Sequence, residues 1–425
     1  MEEEEESPAR VGGDAYILNI GELATPLGSE PLRGDAMRGI LRVPDAAIVV
    51  RDGIIEYAGA RSELDTDIAD GLKPIDAHGM AAIPGFIDSH THFIFAGSRA
   101  DEFVARASGK SYMDIMRGGG GILRTVKATR EEDPELLGKV AERRAWAMVQ
   151  QGVTTVEAKS GYGLDMDTEL ALLESAAAIP ASVPIDVVPT YLGLHAVPPE
   201  YEGSASSYVD YAISEVLPAV AAQGLARFAD AFCEEGVFSV EDCRRFLSAA
   251  RAHGLGLKLH ADEISRSGGA SLAAELRATS ADHLLKAERM DYEYLAGAGV
   301  IATCLPLTSF CLGLPHADAR GMIDSGLAVA LATDMNPGSA CSGSIALAIA
   351  LAVIQLGLSI EETLTALTLN GAAALGLASE VGSLERGKRA DLIFLEAPSI
   401  DHLAYRTGVN IVGSVFKDGE LAFRA

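Results

Sequence analysis

Eight short apolar runs alternate with helical stretches through the middle of this chain, and that alternation limits the fold more than any other feature. The runs are Phe86 to His92, Val153 to Lys159, Ile185 to Tyr191, Arg227 to Cys233, Gly256 to His260, Ala281 to Leu285, Val300 to Leu305 and Ala328 to Thr333. Amphipathic stretches such as Asp133 to Gln151, Asp167 to Ala178, Val240 to His253 and Ile360 to Leu367 fill the gaps. Strands alternating with helices indicate parallel βα units. Eight such units close into a (β/α)8 TIM-like barrel, whose active site lies at the C-terminal ends of its strands.

Outside the barrel the pattern changes. Short β-like runs (Ala15 to Leu18, Ala46 to Arg51, Ile54 to Ala58) surround Asp52-Gly53, a hairpin signal. Similar runs return at Ala390 to Leu395 and Val412 to Phe416, leading through Lys417-Asp418-Gly419 to Leu421-Ala422-Phe423. The two ends are expected to build one small composite β-sandwich. The expected division is a disordered acidic tail over 1–13, sandwich over 14–84, barrel over 85–378, and sandwich again over 379–425.

With 48% hydrophobic residues among 425, the chain can bury a large core. Its net charge of −26 argues against nucleic acid or an anionic membrane as partner, because phosphate binding depends on Lys and Arg. No apolar run approaches the roughly 20 residues of a membrane span, and the N-terminus is acidic where a signal peptide is basic. A cytoplasmic protein is expected. The five cysteines (Cys233, Cys243, Cys304, Cys311, Cys341) are odd in number and contain no C-x-x-C, so they read as reduced and mostly buried.

The polar residues test the barrel reading. His90-Thr91-His92 closes the first run, and residues i and i+2 on a strand share a face, so both imidazoles can reach one cation. Such a pair is common by chance, but other polar residues join it. The fifth run ends in Lys258-Leu259-His260-Ala261-Asp262-Glu263, the sixth begins at Asp282-His283, and the eighth ends in Ala332-Thr333-Asp334. All fall on the catalytic face. Three imidazoles and one carboxylate suit zinc or iron, with room for a water. His78, His253, His316 and His402 fall in turns, helices or loops and read as surface or capping residues.

The string Pro84-Gly85-Phe86-Ile87-Asp88-Ser89-His90-Thr91-His92, the later His260 and His283, Thr333-Asp334 and the closing Gly382 to Ile393 resemble the amidohydrolase superfamily. Two-metal members carry a bridging Lys or Glu at the end of strand four. This chain has Phe232-Cys233-Glu234-Glu235 there, with no lysine; Glu234 or Glu235 could bridge in principle, but an outward-facing or structural acid is the better reading, so one ion per chain is expected, divalent or trivalent, zinc or iron. Phe95 to Phe103, Gly109 to Tyr112, Gly118 to Leu123, Lys159 to Leu164, Thr190 to Ala196 and Asp334 to Ser339 are more specifically similar to the imidazolonepropionase family of histidine breakdown.

That resemblance implies hydrolysis of the cyclic amide of 4-imidazolone-5-propanoate to N-formimidoyl-L-glutamate. His90, His92, His260 and Asp334 would hold a cation that lowers the pKa of water from about 16 toward 7. His283 is placed to polarise the ring carbonyl or shuttle a proton, and Glu263 to hold the ring nitrogen and protonate the leaving nitrogen; Asp334 shares in the proton transfers. A small anionic substrate needs a local cation in so acidic a protein. Arg99, in the first βα loop, is the leading candidate because its planar fork takes a carboxylate bidentately. Tyr162 and His195 match substrate contacts of the family, and Asn336, Gly338 and Ser339 are positioned to offer amide or hydroxyl groups.

Two motifs carry less. Gly109-Lys110-Ser111 ends like a phosphate loop, but Val104 stands where that loop needs glycine. Gly118 to Gly121 reads as a flexible loop over the site. An aromatic deaminase of the same superfamily is the nearest alternative, although it has no use for a carboxylate clamp; a non-catalytic barrel scaffold would be expected to have lost ligands. A homodimer is expected from the prevalence of two-fold oligomers.

Overall fold

The computed structural model describes residues 13–110 and 120–425. The acidic tail through residue 12, and the part of the glycine run before Gly120, lie outside the described residues. The N-terminal part forms β1 (Ala15–Thr25), β2 (Leu41–Arg51), β3 (Ile54–Ala60), β4 (Pro74–Asp76) and β5 (Ala81–Pro84). At the β2–β3 turn Asp52 and Gly53 both have positive φ, 50° and 77°, the twist that a two-residue hairpin requires.

The barrel strands are β6 (Phe86–Asp88), β7 (Val153–Lys159), β8 (Asp186–Leu194), β9 (Phe228–Cys233), β10 (Gly256–Ala261), β11 (Ser280–His283), β12 (Ile301–Cys304) and β13 (Ala328–Leu331). They form a parallel sheet in sequence order. Helices between them start where side chains cap them. Asp133 accepts from Glu135 N ahead of Pro134–Val149, and Ser239 with Asp242 makes a capping box for Val240–Ala252. All four expected helices form, within a residue or two of their expected ends.

Strand boundaries differ from the sequence reading in one instructive place. The ladder of β6 stops at Asp88, so His90 and His92 lie just past a strand. Their backbone is nevertheless fixed on both sides: Lys159 N donates to Thr91 O at 3.0 Å, Asp334 N to His90 O at 3.0 Å and His92 N to Met335 O at 2.9 Å. The buried Asp88 carboxylate accepts from Thr333 N and Oγ1. These bonds join the first and eighth units at the catalytic end, where the sheet would otherwise gape.

After the barrel come β14 (Leu392–Leu395), β15 (Val412–Lys417) and β16 (Glu420–Arg424). They join the N-terminal strands in one sheet ordered β16-β15-β14-β5-β1-β2-β3, with β4 alongside β1. The two chain ends thus share a single hydrogen-bonded sheet and one small core that includes Ile17, Ile48, Leu392 and Phe416. The closing Gly382 to Ile393 segment joins it to the barrel. Lys417 Nζ lies 3.0 Å from Asp186 at the start of β8 and 2.9 Å from Asp391, and Arg389 also pairs with Asp186. Among the described residues no helix is long and apolar enough to cross a membrane.

Candidate active site

Four of the expected side chains converge past the strand ends. The Nε2 atoms of His90 and His92 are 3.3 Å apart, and those of His92 and His260 are 3.4 Å apart. Asp334 Oδ1 lies 3.6 Å from His90 Nε2 and 3.5 Å from His92 Nε2. Ligand atoms about 2.1 Å from one ion occupy tetrahedral corners about 3.4 Å apart, the spacing seen here. A proton on His92 Nε2 can serve one of these two ring contacts but not both. His90 Nδ1 meets Asp282 Oδ2 at 2.6 Å, which places its ring proton on Nδ1 and a bare lone pair on Nε2, and His260 Nδ1 lies 3.0 Å from Asp230 Oδ2. Crowded lone pairs repel unless a cation lies between them. Two overlapping groups bring ligand atoms within 4.8 Å of one another: His90 with His92 and Asp334, and His90 with His260 and His283.

Two of the histidines are held neutral, as cation ligands must be. Burial and the nearby Lys159 hold His90 well below the imidazole range, and burial and His195 do the same to His92. At His260 burial opposes protonation, but Asp230 outweighs it and the pKa is raised. Burial pushes the Asp334 carboxyl up to about 6 even though Thr308 Oγ1 donates to its Oδ2 at 2.5 Å. That bond leaves Oδ1 toward the histidines. Burial, then Asp334, raises Glu263 to about 8. Glu263 Oε1 stands 3.5 Å from His283 Nδ1, and neither ring nitrogen of His283 has a hydrogen-bond partner among the described residues. His283 and Asp334 both sit at positive φ, 74° and 52°, backbone strain that gathers where side-chain aim matters.

The cavity over this cluster is lined by His92, Arg99, Tyr162, His195, His260, Glu263, His283, Asp334, Asn336 and Ser339. His90 lies beneath it, fully buried. The expected residues thus come together, with one exception. Gly338 lines a neighbouring cavity, its N–H already donates to Asn336 Oδ1 at 2.8 Å, and its carbonyl accepts from Arg106. Its value is space: a Cβ there would stand 2.5 Å from Arg99 Nη1. His195 gives Nδ1 to Gly161 O at 2.9 Å and stacks on His92, turning Nε2 to the cavity. The loop carrying Tyr162 wraps the buried Glu169 carboxylate, which accepts from Gly161 N, Gly163 N and Leu164 N.

Sequence reasoning missed the floor of the site. Barrel interiors are usually packed with branched aliphatic side chains. Here Lys159 Nζ lies 2.7 Å from Asp230, 2.9 Å from Glu157 and 3.7 Å from Asp282, and Lys258 lies 3.0 Å from Glu157, with every one of these side chains fully buried. Two of the three carboxylates are the partners of His90 and His260. Glu234, weighed as a bridging ligand, instead accepts from Ile264 N and Ser265 N, and neither it nor Glu235 lines the central cavity.

Residues 81–422 match the Amidohydrolase family. The imidazolonepropionase of Parabacteroides distasonis is 52% identical over 406 residues, covering 95% of this chain and 98% of that one. The imidazolonepropionase of Clostridium tetani is 49% identical over 413 residues, covering 97% and 99%. The chain belongs to the imidazolonepropionase family of amidohydrolases. Among solved structures, a triazine hydrolase variant superposes with a TM-score of 0.74 at 18% identity, covering 96% of this chain and 94% of that one. Guanine deaminase of E. coli superposes at 0.73 and 15%, covering 97% and 99%. Those two likenesses speak to the barrel fold, while the family rests on the close relatives.

Proposed function

We propose that this family member hydrolyses the ring C–N bond of 4-imidazolone-5-propanoate to give N-formimidoyl-L-glutamate. The observation that carries the reading is one cavity presenting a His/Asp cation cluster, a neutral carboxylic acid and a buried arginine together. His90, His92, His260 and Asp334 would hold a zinc or iron ion, which would supply activated water at neutral pH and stabilise developing negative charge. Asp334 is placed to take the proton of the attacking water as the oxygen adds to the ring carbonyl carbon. His283, with no hydrogen bond at either ring nitrogen among the described residues, donates toward the carbonyl oxygen as it gains charge. Glu263, whose charged form burial disfavours, delivers a proton to the ring nitrogen as the C–N bond breaks. Arg99 grips the propionate, with Tyr162 and His195 flanking the ring and Asn336 and Ser339 closing the far wall.

A deaminase would also use a histidine cluster with an acid, but its base substrate brings no carboxylate for Arg99 to bind. One ion per chain and a cytoplasmic homodimer complete the proposal; metal stoichiometry and native mass measure the ion count and the oligomer. The deciding experiment is turnover of freshly prepared imidazolone propionate, followed as loss of its ultraviolet absorbance. We expect hydrolysis that disappears on chelation and returns with zinc or iron. Silence toward this substrate, with ammonia released from guanine or cytosine, would overturn the reading in favour of deamination.

A further inference from the structure

Arg99 does not stand alone. Its Nε lies 2.9 Å from Glu102 Oε2, one helical turn along, and both side chains are nearly inaccessible, 9% and 4% exposed. The other oxygen of Glu102 accepts from Gly121 N at 3.1 Å and lies 3.5 Å from Arg124 Nη1. On the opposite side, Nη1 of Arg99 fills the space left by the missing side chain of Gly338. A guanidinium has five N–H donors in one plane. The Glu102 bond fixes that plane from the Nε end and Gly338 fixes its depth, and Arg99 lines the cavity together with Tyr162, His195 and Ser339.

We infer that Glu102 and Gly338 are positioning residues that set substrate selectivity for a carboxylate by holding the guanidinium of Arg99 in one orientation. The inference rests on the reading of Arg99 as the carboxylate clamp. Glu102 acts through Arg99 and contacts no reacting atom. A buried carboxylate beside a clamp for carboxylates would be wasteful if attraction alone were needed, since it cancels part of the positive charge. Orientation explains it: a long arginine side chain is flexible, and a fork aligned before binding loses less entropy when the substrate arrives. Gly338 supplies the complementary requirement, because even a methyl group there displaces Nη1.

The test compares kcat, KM and metal content of the full-length protein for Glu102→Ala, Glu102→Gln, Gly338→Ala and Arg99→Ala. Each is assayed with imidazolone propionate and with its neutral propionamide counterpart. A small displacement of a positioned group can cost up to about a hundredfold. We expect Glu102→Ala and Gly338→Ala to raise KM for the propionate about tenfold or more, with kcat and metal content close to the parent and KM for the propionamide little changed. Glu102→Gln, which keeps an acceptor for Nε, restores most of the preference. Preference for the propionate that survives in Glu102→Ala while Arg99→Ala abolishes it would overturn the inference and leave the clamp reading intact. Preference that survives Arg99→Ala would overturn the clamp itself. Loss of kcat and metal in Glu102→Ala, unrescued by Glu102→Gln, would assign Glu102 a purely structural role and also overturn the inference.

Discussion

Glu263 is held in a protonation state that water would not give it. An unfolded glutamate ionises near 4.5 and this one near 8, because burial and the neighbouring Asp334 penalise its charge. Between those values the folded chain holds a proton that the unfolded chain has lost, so this residue lowers stability progressively as pH rises through the window. Glu263→Gln removes that penalty along with the acid. In metal-free protein it is expected to raise the melting temperature more at pH 8.5 than at pH 5.5 while abolishing turnover; an equal gain at both pH values would show that Glu263 is not the source. At this scale much of the site was legible. The i, i+2 spacing of His90 and His92 and the placing of His260, Glu263 and Asp334 at run ends were enough to gather them. Gly338 was not legible in the same way, because an absent side chain has a role only once the atom that fills its place, Arg99 Nη1, is known.

The strands carry what the sequence did not disclose. Glu157 and Lys159 on β7, Asp230 on β9, Lys258 on β10 and Asp282 on β11 point into the barrel as a closed charge network under the cation cluster. Lys159 belongs to a family-like string, yet its partner Asp230 is 71 residues along the chain, and no local pattern connects them. Their elements were readable from alternation; their register against one another was not, and register decides which charges meet. Asp230→Asn and Asp282→Asn are expected to weaken metal binding about 10–100-fold, since carboxylates behind histidine ligands fix ring orientation and basicity. Competition with a chelator reads this directly, and unchanged affinity would show that the histidines are held some other way. Lys159→Met leaves buried acids uncompensated and is expected to cost about 3–5 kcal/mol of unfolding free energy in denaturant titrations.

In the whole molecule, barrel and sheet meet at the end opposite the cavity, through Lys417 and Arg389 on one side and Asp186 at the start of β8 on the other. Lys417 and Asp391 are almost wholly buried. Lys417→Met is expected to cost about 3–5 kcal/mol of stability, measured by denaturant unfolding, with KM unchanged because the cavity lies at the other end. A comparable loss of substrate affinity would mean that the two ends communicate. The pairing of the chain ends was visible in matching β-like runs and two Asp-Gly turns, but the strand order was not, since β14 bonds to β5 across the full length of the barrel sequence. That one pairing has a consequence for synthesis. Ala82 leaves the ribosome before any barrel strand and Phe394, its partner, after all of them, so the edge of β5 stays open while the entire barrel is being made. A nascent chain of this kind carries an unsealed sheet edge for most of its translation time, and early termination strands it there, open to pairing with other chains.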